Sequence, residues 1–430
     1  MTSVSRFGLV AKTAAGLVHV TGLSSFARVG DLALLSTNDG EMIAEVVDVE
    51  KSTIQLLPEA GGTGVAVGDV VRHFGSGDIY PDVSWAGRII DSYGKPLDGM
   101  PLARGPVAYP VRCGPPASST RKRLGLPLET GIPALNTFLP LVRGQRIGLF
   151  AGSGVGKSTL LASLAQGVEA DHIVIALVGE RGREVREFIE DTLGESGLKR
   201  AVVVAATSDQ SAVSRRRAAW TAMATAEYLR NQGSHVLLLV DSVTRFCEAH
   251  REIVATTGEA ASLRGFPPST TQALMELCER AGPGTDIQGD ITAVFSVLVA
   301  GSDMDEPVAD MVRGVLDGHI VLDRAIAERG RFPAIDILRS VSRSFVKALA
   351  PELKSTIKKA KLLMSSYDDA EVMIQTGLYQ PGSDQIIDRA IKARPQFEGF
   401  LSMVDRQDGH SAKDDQLRLT EIVAELEKDG

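Results

Sequence analysis

A glycine-rich segment between an apolar run and a helical pattern constrains this chain more than any other feature. The segment Ala151-Gly-Ser-Gly-Val-Gly-Lys-Ser follows the strand-like run Arg146-Ile-Gly-Leu-Phe and leads into a helical pattern at 158–167. Glycines allow the backbone to turn tightly, so that its N–H groups can point at phosphate oxygens. The alternative is a glycine-rich turn with an incidental lysine. Because strand, loop and helix follow in the required order, the segment predicts a nucleotide-phosphate loop.

Individual roles within this loop follow from its chemistry. Lys157 adds a positive charge for the phosphates, and the Ser158 hydroxyl can hold Mg²⁺. The strict pattern has glycine where this chain has Ala151. The predicted nucleotide-binding residues of the loop are Gly152, Ser153, Gly154, Val155, Gly156, Lys157, Ser158 and Thr159.

Two acidic residues follow other apolar runs that have the character of strands. Asp241 ends the run Val236-Leu-Leu-Leu-Val, where a carboxylate would lie beside the phosphate loop and orient the metal and its water. Glu180 follows the run His172-Ile-Val-Ile-Ala-Leu-Val and is the candidate base that polarises the attacking water. A strand-end cap is the alternative for Asp241, and an ion pair with a neighbouring arginine is the alternative for Glu180.

Arg343 stands in the segment Ser340-Val-Ser-Arg-Ser, near the predicted end of the central domain. It is either a surface residue or an arginine finger given to the site of a neighbouring subunit. Where such a finger exists, it accelerates phosphoryl transfer by about 10³–10⁵-fold.

The order of the patterns predicts the fold class and three domains. Short strands separated by glycine turns up to about Phe74 predict a small closed β-barrel, assigned to residues 1–78. Near-continuous apolar strands that alternate with helices predict a central α/β domain with a parallel sheet, assigned to 79–345. From about Val346 the pattern is helical, as in the spacing of Leu419, Val423 and Leu426, and 346–430 is assigned to a helical domain.

Composition excludes several classes of protein. The net charge of −8 and the scarcity of aromatics among the basic clusters argue against a nucleic-acid-coating protein. Three widely spaced cysteines match no zinc spacing and predict free thiols in a reducing compartment. The sequence shows neither a secretory signal nor an apolar run of membrane-spanning length. We therefore expect a soluble cytoplasmic protein that meets a membrane only through partners.

Several motifs in order resemble one family. They are Phe150-Ala-Gly-Ser-Gly-Val-Gly-Lys-Ser, Val178-Gly-Glu-Arg-Gly-Arg-Glu, Ala226-Glu-Tyr-Leu-Arg-Asn-Gln-Gly, Leu239-Val-Asp-Ser-Val-Thr-Arg, Gly265-Phe-Pro-Pro-Ser, Leu316-Asp-Gly-His-Ile-Val-Leu, Phe332-Pro-Ala-Ile-Asp-Ile and Ser340-Val-Ser-Arg. The chain thus resembles the flagellar type III protein-export ATPases, which are related to rotary ATP synthase subunits and to virulence-secretion ATPases. The resemblance runs from about Gly87 to the end and is weaker across the predicted barrel.

The resemblance implies roles for single residues. It makes Glu180 the catalytic glutamate, Arg181 the arginine beside it, and Arg343 the finger supplied across a subunit interface. It also places Phe332 where relatives carry an aromatic that packs on adenine, although a core phenylalanine is the alternative. The second wall of the base pocket is not assigned.

The resemblance also implies an architecture and partners. The architecture is an N-terminal barrel, a RecA-like P-loop domain and a C-terminal helical domain, assembled as a homohexameric ring. Such a ring uses ATP and Mg²⁺ to deliver substrates and their chaperones to export-gate membrane proteins. Relatives bind a stator-like regulator through a leader before the barrel, and here that stretch is short.

The sequence leaves other functions open. A virulence-type secretion ATPase is barely separable from a flagellar one, and a rotary ATP synthase catalytic subunit is a third reading. A nucleotide-binding structural subunit is disfavoured because Lys157, Glu180 and Arg343 are all present. An RNA translocase would require exposed barrel aromatics for base stacking.

Overall fold

The structure, a computed structural model, describes residues 6–262, 265–299, 304–344, 349–402 and 411–428. The first five residues and the predicted start of the helical domain at 346 lie outside this part of the chain.

Six antiparallel strands within the described N-terminal part form a closed barrel in the order β1-β2-β5-β4-β3-β6. They are β1 (Arg6–Ala14), β2 (Leu17–Thr21), β3 (Leu32–Thr37), β4 (Gly40–Val49), β5 (Thr53–Pro58) and β6 (Val70–Gly75). β6 pairs with β1, which closes the barrel and leaves no unpaired sheet edge. Alternate side chains, such as Ile54 and Leu56 on β5, point inward and are fully buried.

The central part is built on a sheet of nine strands, as far as the described residues show. They are β7 (Ile89–Ile90), β8 (Arg146–Ala151), β9 (His172–Glu180), β10 (Ala201–Thr207), β11 (His235–Asp241), β12 (Gly282–Pro283), β13 (Asp290–Leu298), β14 (Gly318–Leu322) and β15 (Ile335–Ser342). The order is β15-β14-β8-β13-β11-β9-β10-β7, with β12 paired to β13. The strands from β14 to β7 are parallel, and β15 runs antiparallel to β14.

Helices cover both faces of this sheet. They are α1 (Pro133–Thr137), α2 (Lys157–Gly167), α3 (Gly182–Glu187), α4 (Gly194–Leu198), α5 (Ala212–Asn231), α6 (Val243–Thr256), α7 (Pro268–Arg280), α8 (Pro307–Val315) and α9 (Arg324–Glu328). A π-helical turn joins α3 to α4 at Phe188–Leu193, and 3₁₀ turns lie at Val83–Trp85 and Ser118–Thr120. Two apolar clusters form on opposite faces of the sheet, as expected for buried parallel strands.

Helix α5 begins at Ala212. The Ser211 side chain caps it by accepting a hydrogen bond from the Ser214 amide. Its first turns carry Arg216 and Arg217, which gave the segment a polar pattern although both arginines are buried. The apolar periodicity of the sequence therefore does not reveal the first turns of this helix, because their buried side chains include charged ones.

The C-terminal part is helical, with α10 (Pro351–Gln375), α11 (Gln385–Leu401) and α12 (Ala412–Lys428). Leu419, Val423 and Leu426 are buried on one face of α12, as their spacing predicted. Asn136 on α1 donates a 2.7 Å hydrogen bond to Asp415, which ties α12 to the central part. The fold class, a barrel followed by a P-loop α/β domain and helices, is confirmed.

Two further observations concern the whole described chain. Cys113, Cys247 and Cys278 are free thiols. Among the described residues, no helix combines the length and apolarity needed to cross a membrane.

Candidate functional site

The glycine-rich loop lies between β8 and α2, where two of its glycines adopt backbone angles that other residues rarely reach. Gly154 has φ of 77° and Gly156 has φ of 88°. Gly156 caps α2, so the helix N-terminus with its unpaired N–H groups opens directly from the loop. Val155 points inward and is buried, whereas Ser153 and Thr159 are exposed. The loop thus presents backbone donors and a helix dipole to an anion.

The strand order brings the predicted acidic residues to this loop. β8, β13, β11 and β9 are neighbours, so their carboxyl ends meet at one edge of the sheet. Lys157 Nζ donates a hydrogen bond to Asp241 Oδ1 and lies 3.5 Å from Glu180 Oε1. Lys157, Glu180 and Asp241 are therefore one cluster, although they are far apart in the sequence.

Asp241 is buried at the end of β11 and its orientation is fixed by a second donor. Ser296 Oγ on β13 donates a 2.6 Å hydrogen bond to Asp241 Oδ1. Sequence reasoning missed Ser296, whose signal was a hydroxyl among the apolar residues of its strand. The structure places Asp241 in the cluster rather than at a solvated strand end.

Glu180 lies at the end of β9 in surroundings that disfavour its charged form. Burial raises the pKa of the Glu180 carboxyl, and this effect exceeds the opposing attraction of Lys157. Asp241 and a hydrogen bond with Glu184 raise the pKa further. The preceding Gly179 has φ of 69°, and a side chain there would press on Arg245 at 3.1 Å. This glycine lets the strand end turn Glu180 toward Lys157.

A cavity of about 170 Å³ lies beside the cluster. Ser158, Glu180, Asp241 and Glu184 line it, together with apolar residues of α3 and the turn that follows. Glu184 is a second residue that sequence reasoning missed as a site residue. Its signal was present, because it stands four residues after Glu180 and ends the quoted Val178 motif.

Arg181 does not enter this cavity. Its guanidinium is exposed and lies 2.8 Å from Glu184 Oε1. Arg183 is also exposed and pairs with Glu187 at 3.5 Å. The nearby arginines therefore pair with other carboxylates, and the cation beside Glu180 is Lys157. Arg181 touches the cluster only through Glu184.

Phe332 lies against the phosphate loop. A Cβ atom built on Gly156 would stand 3.4 Å from Cδ1 of the Phe332 ring. The side chain of Phe332 is nevertheless 49% exposed. An aromatic ring that adjoins a phosphate loop and keeps an open face is suited to stack on a base.

Arg343 lies at the opposite edge of the sheet, where the amino ends of the parallel strands meet. Its backbone N–H donates a hydrogen bond to the carbonyl of Asp317. The N–H of Asp317 in turn donates to the carbonyl of Arg146, at the start of β8. The phosphate loop begins beyond Ala151 at the far end of the same strand. At about 3.3 Å per residue, the edges are about 16 Å apart, farther than an arginine side chain reaches. The exposed Arg343 therefore does not belong to the cluster of its own chain.

The donor set of the cluster fits a magnesium-bound nucleoside triphosphate. Backbone N–H groups and Lys157 suit phosphate oxygens, and a hydroxyl with carboxylates suits Mg²⁺, which prefers oxygen ligands. A side chain built at Gly154 would meet no atom within 4 Å, which leaves open space over the loop.

Two families match the chain. The nucleotide-binding domain of the ATP synthase alpha/beta family matches residues 131–342. The C-terminal domain of the type III secretion ATPase EscN matches residues 349–427.

Individual relatives match over nearly the whole chain. The flagellum-specific ATP synthase of Caulobacter vibrioides is 45% identical over 417 residues, which cover 95% of this chain and 94% of the relative. The type 3 secretion system ATPase of Sinorhizobium fredii is 42% identical over 399 residues, which cover 92% and 87%.

The structure of the assembled ATPase EscN from the type III secretion system of enteropathogenic E. coli is also similar. It is 37% identical, has a TM-score of 0.88 and covers 97% of this chain and 100% of that one. From these identities and coverages, this chain belongs to the family of flagellum-specific ATP synthases and type III secretion ATPases, and it is an ATPase.

Proposed function

We propose that this ATPase hydrolyses Mg·ATP to energise type III export of flagellar proteins, and that it acts as a homohexameric ring. The ring is supported by one observation, namely that the proposed catalytic residues lie at two opposite edges of the sheet. Lys157, Glu180 and Asp241 meet at one edge of the sheet, and Arg343 stands at the other edge, which is about 16 Å away along β8. A head-to-tail arrangement would bring the Arg343 edge of one copy to the Lys157 edge of the next.

Each residue then has a role in phosphoryl transfer. The loop from Gly152 to Thr159 binds the triphosphate, with Lys157 on its terminal phosphates. Ser158 and Asp241 would hold Mg²⁺, which supplies neutralisation of the phosphate charge. Glu180 polarises the attacking water, and its raised pKa suits a group that must accept a proton near neutral pH.

The remaining groups complete the site. Phe332 stacks on the base of the nucleotide. Arg181 orients Glu184, the residue that hydrogen-bonds Glu180. Arg343 of the adjacent copy stabilises the charge that develops on the transferred phosphoryl group.

The assembly and its partners are proposed from the relatives. EscN has been solved as an assembled ATPase, and also in complex with its central stalk EscO, at a TM-score of 0.87 to this chain. We propose a stalk and a stator-like regulator as partners, with chaperones, export substrates and the membrane proteins of the export gate. The ring would then lie at the cytoplasmic face of the membrane, held peripherally through these partners and without nucleic acid.

A virulence-type secretion ATPase is the second candidate, favoured by the 42% identity to the Sinorhizobium fredii protein. The flagellar role is preferred because flagellum-specific relatives reach 45% identity. A rotary catalytic subunit is less well supported, since the C-terminal helices match the secretion ATPases.

Deletion of the gene in its host bacterium tests the choice. We expect loss of motility and of flagellin in the culture medium, restored by the intact gene and not by Lys157→Ala. Loss of other type III substrates with normal motility would support the second candidate. Normal flagellar and type III secretion in the deletion strain would contradict both.

A further inference from the structure

The segment that carries Phe332 is also tied to the C-terminal helices. It joins α9 to β15, and Phe332 on one side lies against the phosphate loop at Gly156. On the other side, Arg329 and Arg331 reach α10 and α11. The segment is thus a short bridge between the site and a different part of the molecule.

Arg331 is the inner of the two ties. The residue is only 8% exposed, and its Nη2 donates a 3.0 Å hydrogen bond to the carbonyl of Ile335. Its Nε lies 3.1 Å from Glu398 Oε2 on α11. Burial lowers the pKa of Arg331, and the charge of Glu398 opposes this effect. Arg331 thus holds the start of β15 with one nitrogen and a C-terminal helix with another.

Glu398 is itself held in place. Arg394, one turn earlier on α11, lies 2.9 Å from Glu398 Oε1 and 3.2 Å from Asp368 on α10. Its guanidinium also lies over the ring of Tyr367. The carboxylate that receives Arg331 is therefore fixed by both C-terminal helices.

Arg329 forms the outer tie, with Nη1 2.8 Å from Glu371 on α10. This pair is half exposed, so solvent weakens it more than the pair between Arg331 and Glu398. A cavity of about 320 Å³ separates the segment from α10 and α11 around these pairs. Apolar residues such as Ile337 and Phe397 also pack across this contact, so the ion pairs are its polar part and can be changed one at a time.

We propose that Arg331, held by Glu398, is a positioning residue that sets Phe332 against the nucleotide base. Base recognition is thereby coupled to the placement of the C-terminal helices. The proposal rests on the base-stacking role proposed for Phe332. It concerns the base alone, because Lys157 and the phosphate loop make no contact with Arg331 among the described contacts.

The test compares binding of ATP with binding of ribose 5-triphosphate, which lacks the base. The dissociation constant of ribose 5-triphosphate divided by that of ATP measures the contribution of the base. General damage to the site would raise both constants together and leave this ratio unchanged. For Arg331→Met we expect this ratio to fall about tenfold, the order of one base–aromatic stack. In steady-state hydrolysis, the KM for ATP should rise, whereas kcat, the rate at saturating ATP, should change far less.

Matched variants make the result decisive. Arg324→Met removes an arginine whose ion pair, among the described residues, lies within α9 with Glu328, and it should leave the ratio unchanged. Glu398→Gln keeps the shape of the partner and should lower the ratio in the same direction, which also covers the case that Arg331→Met does not fold. An unchanged ratio in folded Arg331→Met or Glu398→Gln would overturn the proposal.

Phe332→Ala separates the positioning role of Arg331 from the base-stacking role of Phe332, on which it depends. If Phe332→Ala lowers the ratio and the Arg331 and Glu398 variants do not, the positioning role alone is wrong. If Phe332→Ala leaves the ratio unchanged, the base-stacking role is wrong. If the role is right, adding Arg331→Met to Phe332→Ala should produce no further loss.

Discussion

At the scale of single residues, the cluster is defined by one cation between two carboxylates. Lys157 faces both Glu180 and Asp241, and the space beside them is lined by Glu184. An anionic triphosphate would compete with these carboxylates for Lys157. Glu180 would then lose the partner that opposes its raised pKa, and it would become a better proton acceptor.

Glu180→Gln should retain ATP binding and lose hydrolysis. The substitution keeps the size and hydrogen-bonding shape of the side chain but removes its ability to accept a proton. We expect kcat to fall by about 10²–10⁴-fold, the usual contribution of a general base. Equilibrium binding of a fluorescent ATP analogue and steady-state phosphate release measure the two effects.

The matched control is Glu190→Gln. Glu190 lies on the turn after α3, and its exposed carboxylate pairs with Arg186. It should leave both quantities unchanged. Loss of binding in Glu180→Gln, or unaltered turnover, would contradict the assignment of the base.

At the scale of elements, a buried polar chain joins the barrel to the central part. Arg216 on α5 lies 2.5 Å from Glu45 on β4, and both side chains are almost fully buried. Arg216 also donates to His250 Nδ1 on α6, and His250 Nε2 then donates to Ser269 at 3.0 Å. These contacts require a neutral imidazole with the proton on Nε2.

His250 should make stability depend on pH. Burial, with Arg216 next, lowers the pKa of His250 to about 4. A depressed pKa means that stability is complete above the ordinary histidine pKa of about 6.5 and is lost as the pH falls toward 4, because the unfolded chain binds the proton first. Between pH 7 and pH 5 this amounts to about 2 kcal/mol.

Urea unfolding at pH 7 and pH 5 tests this expectation. The loss on acidification should be smaller in His250→Gln than in the wild type. Equal losses in the wild type and in His250→Gln would show that His250 titrates in the same way folded and unfolded.

At the scale of the whole molecule, the proposed reaction centre is shared between copies. The sheet separates Lys157 from Arg343, and no movement of one side chain bridges that distance. Head-to-tail assembly resolves the separation without any change of fold. Hydrolysis should therefore rise steeply with protein concentration.

Mixing two inactive variants tests the shared centre. Lys157→Ala removes the proposed phosphate-binding cation and Arg343→Ala removes the proposed finger, so each variant alone should be inactive. A ring assembled from equal amounts has intact pairs at about a quarter of its interfaces if the sites act independently. ATP hydrolysis should recover to about that fraction of wild-type activity.

The control is a chain that carries both substitutions. Mixed with either single variant it offers no intact pair, so no activity should return. An Arg343→Ala protein that is fully active when dilute would exclude the shared centre.

The sequence by itself determined the features that depend on neighbours along the chain. Apolar runs and glycines determined the strand, loop and helix around Lys157, and the alternation of patterns determined the fold class. These follow from local backbone preferences and from the period of the apolar residues. Glu180 and Asp241 were predicted because each stands at the end of an apolar run that has the character of a strand.

Only the tertiary structure decided the features that depend on which strands and helices become neighbours. The order β8-β13-β11-β9 brings Lys157, Asp241 and Glu180 together, and the antiparallel β15 carries Arg343 to the opposite edge. The pair of Glu45 with Arg216 spans 171 residues. No local pattern encodes such a contact, because its energy arises only when folding removes both charges from water beside each other.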